Sequence, residues 1–275
     1  MSLFTRPRVA AAAIVAVLVA AIALTGCAPA RPRADSISAG AGMERIVLAG
    51  APFQHVAFHR AGTPPEGLHV YIEHDGRPWI DGDLPSRDPT PSDLVMLRLA
   101  ARDPAPVLYL GRPCYFGMAS QAPCEPVWWT HRRYAREVID SMNAALGNFV
   151  GTHPQYRTIE MFGYSGGGVI AVLMSATAPS PVARLVTIAA PLDLATWTAL
   201  HHYSVLQGSL DPLLQPPLSP SITQQHYAGA SDDVVPPAII QAFVRRQRSA
   251  EFFEMGGFDH YCCWEELWTR QILKQ

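Results

Sequence analysis

The stretch from Glu160 to Leu173, EMFGYSGGGVIAVL, sets Ser165 among four glycines between two apolar runs. Gly163-Tyr164-Ser165-Gly166-Gly167 fits G-x-S-x-G, with TIEMFGYS reading as a strand before the serine and GGGVIAVLMSATA as a helix after it. That context is what a nucleophile elbow requires, because the serine must stand on a sharp strand-to-helix turn. Side chains at Gly163 and Gly167 would collide with the strand or the helix, and glycine removes the clash. Gly166 would place its backbone N–H beside a reacting carbonyl. A phosphate cradle is the rival, but the chain has neither G-x-G-x-x-G nor Gly-Lys-Ser/Thr at this turn.

Outward from the elbow, strand-like and helix-like runs alternate. FQHVAFHR and LHVYIEH read as strands, with the possibility that the two form a hairpin. SDLVMLRLAAR reads as a helix with Ser92 and Asp93 as cap candidates, PVLYLG as a buried strand, and RRYAREVIDSMNAALGNFV as a long amphipathic helix. After the elbow helix come the strand ARLVTIAA, a Pro-rich stretch from Leu192 to Pro220, the strands ITQQHYAG and AEFFEM around the helix PPAIIQAFVRRQR, and a last helix from about Trp264. Alternating βα units predict a mainly parallel central sheet with helices on both faces.

A serine hydroxyl needs a base to take its proton and an acid to orient that base. In strand-elbow serine enzymes these follow in the order Ser, Asp or Glu, His. YAGASDDVVPP supplies Asp232 and Asp233 after one strand, and EMGGFDHY supplies His260 after the next, both at the carboxyl edge where open parallel sheets carry their sites. Asp193, after the preceding strand, is a third candidate acid.

These residues resemble the α/β-hydrolase family over residues 43 to 275. The resemblance implies an α/β-hydrolase fold, no cofactor, and an acid loop matched by Gly229-x-x-Asp232-x-Val234-Val235-Pro236, which points to Asp232 over Asp233. It also implies two oxyanion donors, the Gly166 N–H and one from the loop after an earlier strand. The family often reads His-Gly-X in that loop, whereas this chain has Asp75-Gly76-Arg77, so Arg77 N–H is the expected second donor. Glu73, His74 and Asp75 read equally as a charged rim or a contact to a substrate amine. Leu194 to Pro220 is longer than an ordinary connection and is expected to form a small cap, with Trp197, Tyr203, Leu206, Leu213 and Leu214 as candidate pocket or packing residues.

The N-terminus reads as an address. Arg6 and Arg8 precede sixteen apolar residues from Val9 to Leu24, too few for a spanning helix. Leu24-Thr25-Gly26-Cys27 resembles the bacterial lipoprotein signal, which makes residues 1–26 a signal peptide, Cys27 the lipidated N-terminus and 27–42 a tether to the membrane. Ala28, in place of an aspartate, favours the outer membrane. Export to an oxidising compartment makes a Cys114–Cys124 bridge plausible across its short loop, and leaves Cys262 and Cys263 as either a vicinal disulfide or two small buried side chains. A formal net charge of -2 without a basic run excludes nucleic acid as an expected partner, and the histidines show no metal-ligand spacing.

The expectation is a lipid-anchored serine hydrolase of carboxylic esters, with Ser165, His260 and Asp232 as its triad. The same triad on an amide or peptide bond, or a non-catalytic binding protein on this scaffold, are the alternatives. Oligomeric state is not legible.

Overall fold

The structure is a computed structural model that describes residues 30–63, 67–270 and 272–274. The signal-like segment and Cys27 lie outside these residues. In chain order the elements are α1 (Ala30–Gly40), β1 (Glu44–Gly50), β2 (Phe53–Arg60), β3 (Gly67–Ile72), the short β4 (Trp79–Ile80) and β5 (Leu84–Pro85), α2 (Val95–Arg102) and β6 (Val107–Leu110). They continue as α3 (Arg136–Thr152), β7 (Thr158–Tyr164), α4 (Gly166–Ser175), β8 (Val182–Ile188), α5 (Leu194–Leu200), β9 (Thr223–Gly229), α6 (Pro237–Val244), β10 (Ala250–Met255) and α7 (Trp264–Arg270).

Eight strands form one sheet in the order β1-β2-β6-β3-β7-β8-β9-β10, parallel from β6 to β10 and antiparallel at the β1-β2 and β2-β6 pairs. The β2-β3 hairpin considered above does not form. β2 pairs with β1 and β6, and β3 lies between β6 and β7. The burial of β3 explains its central place, since Leu68, Val70, Tyr71 and Ile72 are all fully buried and therefore need cover on both faces. Alternation then divides the core: Leu68, Val70, Ile72, Ile159 and Met161 meet α3, α4 and α6, whereas Tyr71, Phe162 and Tyr164 meet α2 and α7.

Two local expectations are corrected. The tether read over 27–42 is helical over Ala30–Gly40 and belongs to the body. Ala34 and Ser38 are buried, Arg33 Nη1 donates to Ser92 O at 3.0 Å, and Asp35 pairs with Arg45 at 3.4 Å. Pro32 falls in the first turn, where a missing N–H costs no helical bond. Small, Pro-containing sequence carries no strong periodicity, so tertiary contact rather than propensity makes this helix. At α2, neither Ser92 nor Asp93 caps the helix. The buried Glu73 accepts from Met96 N at 2.9 Å instead, while Asp93 pairs with Arg98.

The segment after Asp193 forms α5, an irregular excursion and a 3-10 turn at Pro212–Leu214. Ser209 fastens it to the body, donating to His131 O at 2.7 Å and accepting from Tyr134 N at 3.1 Å. Among the described residues no helix is long and apolar enough to cross a membrane.

Candidate active site

Ser165 sits between β7 and α4 with φ 51° and ψ −125°, a backbone conformation that side chains rarely adopt. Its N–H donates to Ile188 O at 2.8 Å and its carbonyl accepts from Gly168 N at 2.9 Å, which holds the turn from both sides. A Cβ on Gly163 would run into the Gly167 carbonyl, and one on Gly167 into the Ile72 carbonyl. The glycines are therefore where strand, elbow and helix come too close for any side chain.

His260 Nε2 lies 3.2 Å from Ser165 Oγ, and His260 Nδ1 lies 2.9 Å from Asp232 Oδ2. An ionised carboxylate only accepts, so this arrangement places the proton on Nδ1 and leaves Nε2 facing the serine. Asp232 is fixed in turn, because its Oδ1 accepts from Val234 N at 2.9 Å and Val235 N at 2.7 Å. The loop carrying His260 is pinned through its own carbonyl, which accepts from Tyr164 Oη at 2.8 Å and Trp264 Nε1 at 3.0 Å. The other candidate acids are elsewhere. Asp233 is exposed, and Asp193 caps α5 by accepting from Thr196 N at 3.0 Å.

The oxyanion side differs from expectation. Arg77 N–H donates to Pro89 O at 3.0 Å, because Gly76 at φ 68° turns the chain beneath Pro89, so the donor expected at Arg77 is already engaged. Gly76 N donates to His74 Nδ1 at 3.1 Å. Of these three loop residues only Asp75 has an N–H without an acceptor among the described residues. Gly166 opens α4, so its N–H has no intrahelical acceptor.

Asp75 itself is not a rim charge. One carboxylate oxygen accepts from Arg112 Nη1, and the other from Arg133 Nη1 at 2.8 Å and Tyr134 Oη at 2.6 Å. Burial pushes this carboxyl up, but the two guanidiniums and the phenol outweigh it and hold it well below the usual carboxylate range. Arg112 Cζ also lies over the Tyr115 and Tyr134 rings, 5.2 and 5.4 Å from their centroids. The cluster sits against the elbow, since a Cβ on Gly166 would collide with Asp75 Oδ1. At its neighbour Glu73 burial dominates and pushes the carboxyl up to about 7, against the opposing effects of His74 and of the backbone N–H groups of His74, Met96 and Leu97.

Arg112 and Arg133 were not singled out by sequence. Their signal was position, because Asp75 and Arg112 each follow a strand at the sheet's carboxyl edge, but Arg133 lay inside a run that reads as helix.

A cleft of about 680 Å³ opens beside this cluster, between the Asp75-Gly76-Arg77 loop and the cap. Trp197, Tyr203 and Leu206 line it, whereas Leu213 and Leu214 do not, and Leu214 is exposed. Trp197 Nε1 donates to Val234 O at 2.8 Å, which ties this wall to the acid loop. Cys114 and Cys124 are disulfide-bonded with Cα atoms 5.5 Å apart, and Cys262 is bonded to Cys263. Among the described residues no group of three or more His, Cys, Asp or Glu side chains is placed to hold a metal.

No family model and no curated protein matches the sequence. Solved structures do match in shape. An esterase of Pyrococcus furiosus aligns with a TM-score of 0.59 and 12% identity, over 84% of this chain and 90% of its own. The fold is that of the α/β hydrolases. A puromycin hydrolase shares it at TM-score 0.58 and 16% identity, over 85% of this chain and 38% of its own. A membrane phospholipase A aligns at TM-score 0.52 and 14% identity, over 95% of this chain and 93% of its own. In this α/β-hydrolase fold the elbow joins a central strand to the helix behind it, and the loops carrying Asp232 and His260 follow β9 and β10, so all three side chains rise at one sheet edge.

Proposed function

We propose that the protein is a serine hydrolase that cleaves carboxylic esters through an acyl-enzyme. The observation that carries this reading is the hydrogen-bonded line Ser165–His260–Asp232 on an elbow whose serine has positive φ. Ser165 Oγ attacks the ester carbonyl as His260 Nε2 takes its proton, and Asp232 stabilises the imidazolium. The N–H groups of Gly166 and Asp75 are the donors assigned to the oxyanion. Collapse expels the alcohol, protonated by His260, and water, deprotonated by the same imidazole, then releases the acid. The 3.2 Å approach of His260 to Ser165 favours catalysis over a purely binding role on this scaffold.

The test is labelling with a fluorophosphonate and location of the adduct by mass spectrometry. Adduct at Ser165 alone, abolished in Ser165→Ala and in His260→Ala, is the expected result. A folded, disulfide-intact protein that takes no label would remove the assignment. Ester over amide is decided by turnover of matched substrates, and the acidic alcohol-like leaving group of an ester makes it the easier bond for this machinery.

The reading includes export and lipid anchoring at Cys27, supported by Arg6, Arg8, the apolar run to Leu24 and the sequence that ends in Cys27. Several acyl chains would hold the protein to a membrane almost permanently. Incorporation of labelled palmitate that disappears in Cys27→Ser tests it in cells, and fractionation of the same cells tests the outer-membrane placement.

A further inference from the structure

The cluster beside the elbow does not balance its charge. Arg112 and Arg133 are 3% and 6% exposed, and they share a single carboxylate, Asp75. The two phenols in contact do not supply a second negative charge, because burial pushes Tyr115 up to about 12 and Tyr134 well above the usual phenol range. One buried positive charge is left over.

Its exit is visible in the hydrogen bonds of Arg133. Nε donates to Thr130 O at 2.7 Å and Nη1 to Asp75 at 2.8 Å, while Nη2 donates to no described residue and the side chain lines the cleft. A guanidinium more than nine-tenths buried with one amino group unused is a built half-site for an anion. The acidic residue across the cleft, Asp83, is exposed and its charge is screened by solvent. Arg77, His131 and His202 add donors to the walls, and Trp79, Trp197 and Tyr203 add apolar surface.

The cleft also has a fixed relation to the reacting serine. One Asp75 oxygen abuts Gly166 and the other accepts from Arg133 Nη1 at 2.8 Å, so a single carboxylate lies between this guanidinium and the elbow. Resting on the hydrolase reading above, we propose that this cleft selects esters carrying a carboxylate a few bonds from the scissile carbonyl, as in half-esters of short dicarboxylic acids. A single surplus positive charge matches a monoanion, and the aromatic walls match the chain between the two carbonyl carbons.

The experiment compares monoethyl glutarate with ethyl pentanoate, which share the reacting ester and chain length and differ in the terminal carboxylate. Acid release is followed by pH-stat with the disulfide-intact protein. The expected kcat/KM for the half-ester is at least about 10-fold higher, as for one hydrogen bond between charged groups. Arg133→Lys, which keeps a charge for Asp75 but loses the fork, is expected to bring the ratio to within about threefold of one. A wild-type ratio of one or below overturns the proposal without recourse to any variant, and so does a ratio that survives in folded Arg133→Lys. Fluorophosphonate labelling separates the two ways to fail. Protein labelled at Ser165 that cleaves neither ester overturns the substrate class alone, whereas unlabelled protein that cleaves neither overturns the hydrolase reading and this proposal with it.

Discussion

Asp75→Asn isolates the charge of the buried cluster while keeping its shape. The substitution leaves an acceptor for one partner but strands two guanidiniums that are 3% and 6% exposed without a carboxylate. Breaking a buried ion pair by removing one partner costs ~3–5 kcal/mol, because the remaining charge loses its compensation without regaining water. At roughly 2 °C per kcal/mol for a domain of this size, the expected fall in Tm is about 8 °C. The sign with pH follows from the depressed Asp75 carboxyl. Its pairing contributes fully above the unfolded carboxyl's pKa, near ~4, and is lost as pH falls from there toward the lower folded value. The gap between wild type and variant should therefore be constant from pH 7 to about 5 and narrow below about 4. Calorimetric scans of both proteins across that range provide the assay. A Tm deficit under about 2 °C, or one that stays the same width in acid, would refute the electrostatic account of this cluster.

Three further tests follow from the same geometry. Asp232→Asn should lower kcat by ~10⁴ by favouring the wrong tautomer of His260, whereas Asp193→Ala should cost ~1 kcal/mol of stability through its lost cap and leave kcat within twofold; comparable losses of kcat in both would reassign the acid. Gly163→Ala should reach the upper end of the ~1–3 kcal/mol overpacking range in urea unfolding, because its Cβ meets the Gly167 backbone, while Gly40→Ala has open space and should be neutral or better. The raised Glu73 carboxyl keeps its proton between pH ~4.5 and about 7 while the unfolded chain releases it, so this residue lowers stability as pH rises through that window. Urea-unfolding free energies should accordingly show Glu73→Gln gaining on wild type by ~2.5 kcal/mol between pH 5 and 8, and parallel curves would contradict the assigned burial.

The elbow was legible because its constraint is local: a serine between a strand and a helix needs glycines within a few positions, and they are adjacent in sequence. The meeting of Asp232 and His260 was legible in part, since each follows a strand whose end the parallel topology brings to one edge. Which of Asp193, Asp232 and Asp233 faces His260 depended on backbone direction after the strand, and the residues that satisfied a helix cap or pointed to solvent were set by packing. The engagement of the Arg77 N–H was not legible, because a single positive φ at Gly76 sends it to Pro89, a partner that no spacing rule announces.

Periodicity and breaker residues in the sequence by themselves determined the alternating βα order and the elbow, because each is written in neighbouring residues. Only the tertiary structure decided that α1 belongs to the body, that β3 lies in the middle of the sheet, and that Asp75, Arg112 and Arg133 meet. Those three side chains come from separate loops up to 58 residues apart, and burial makes their charges matter to one another.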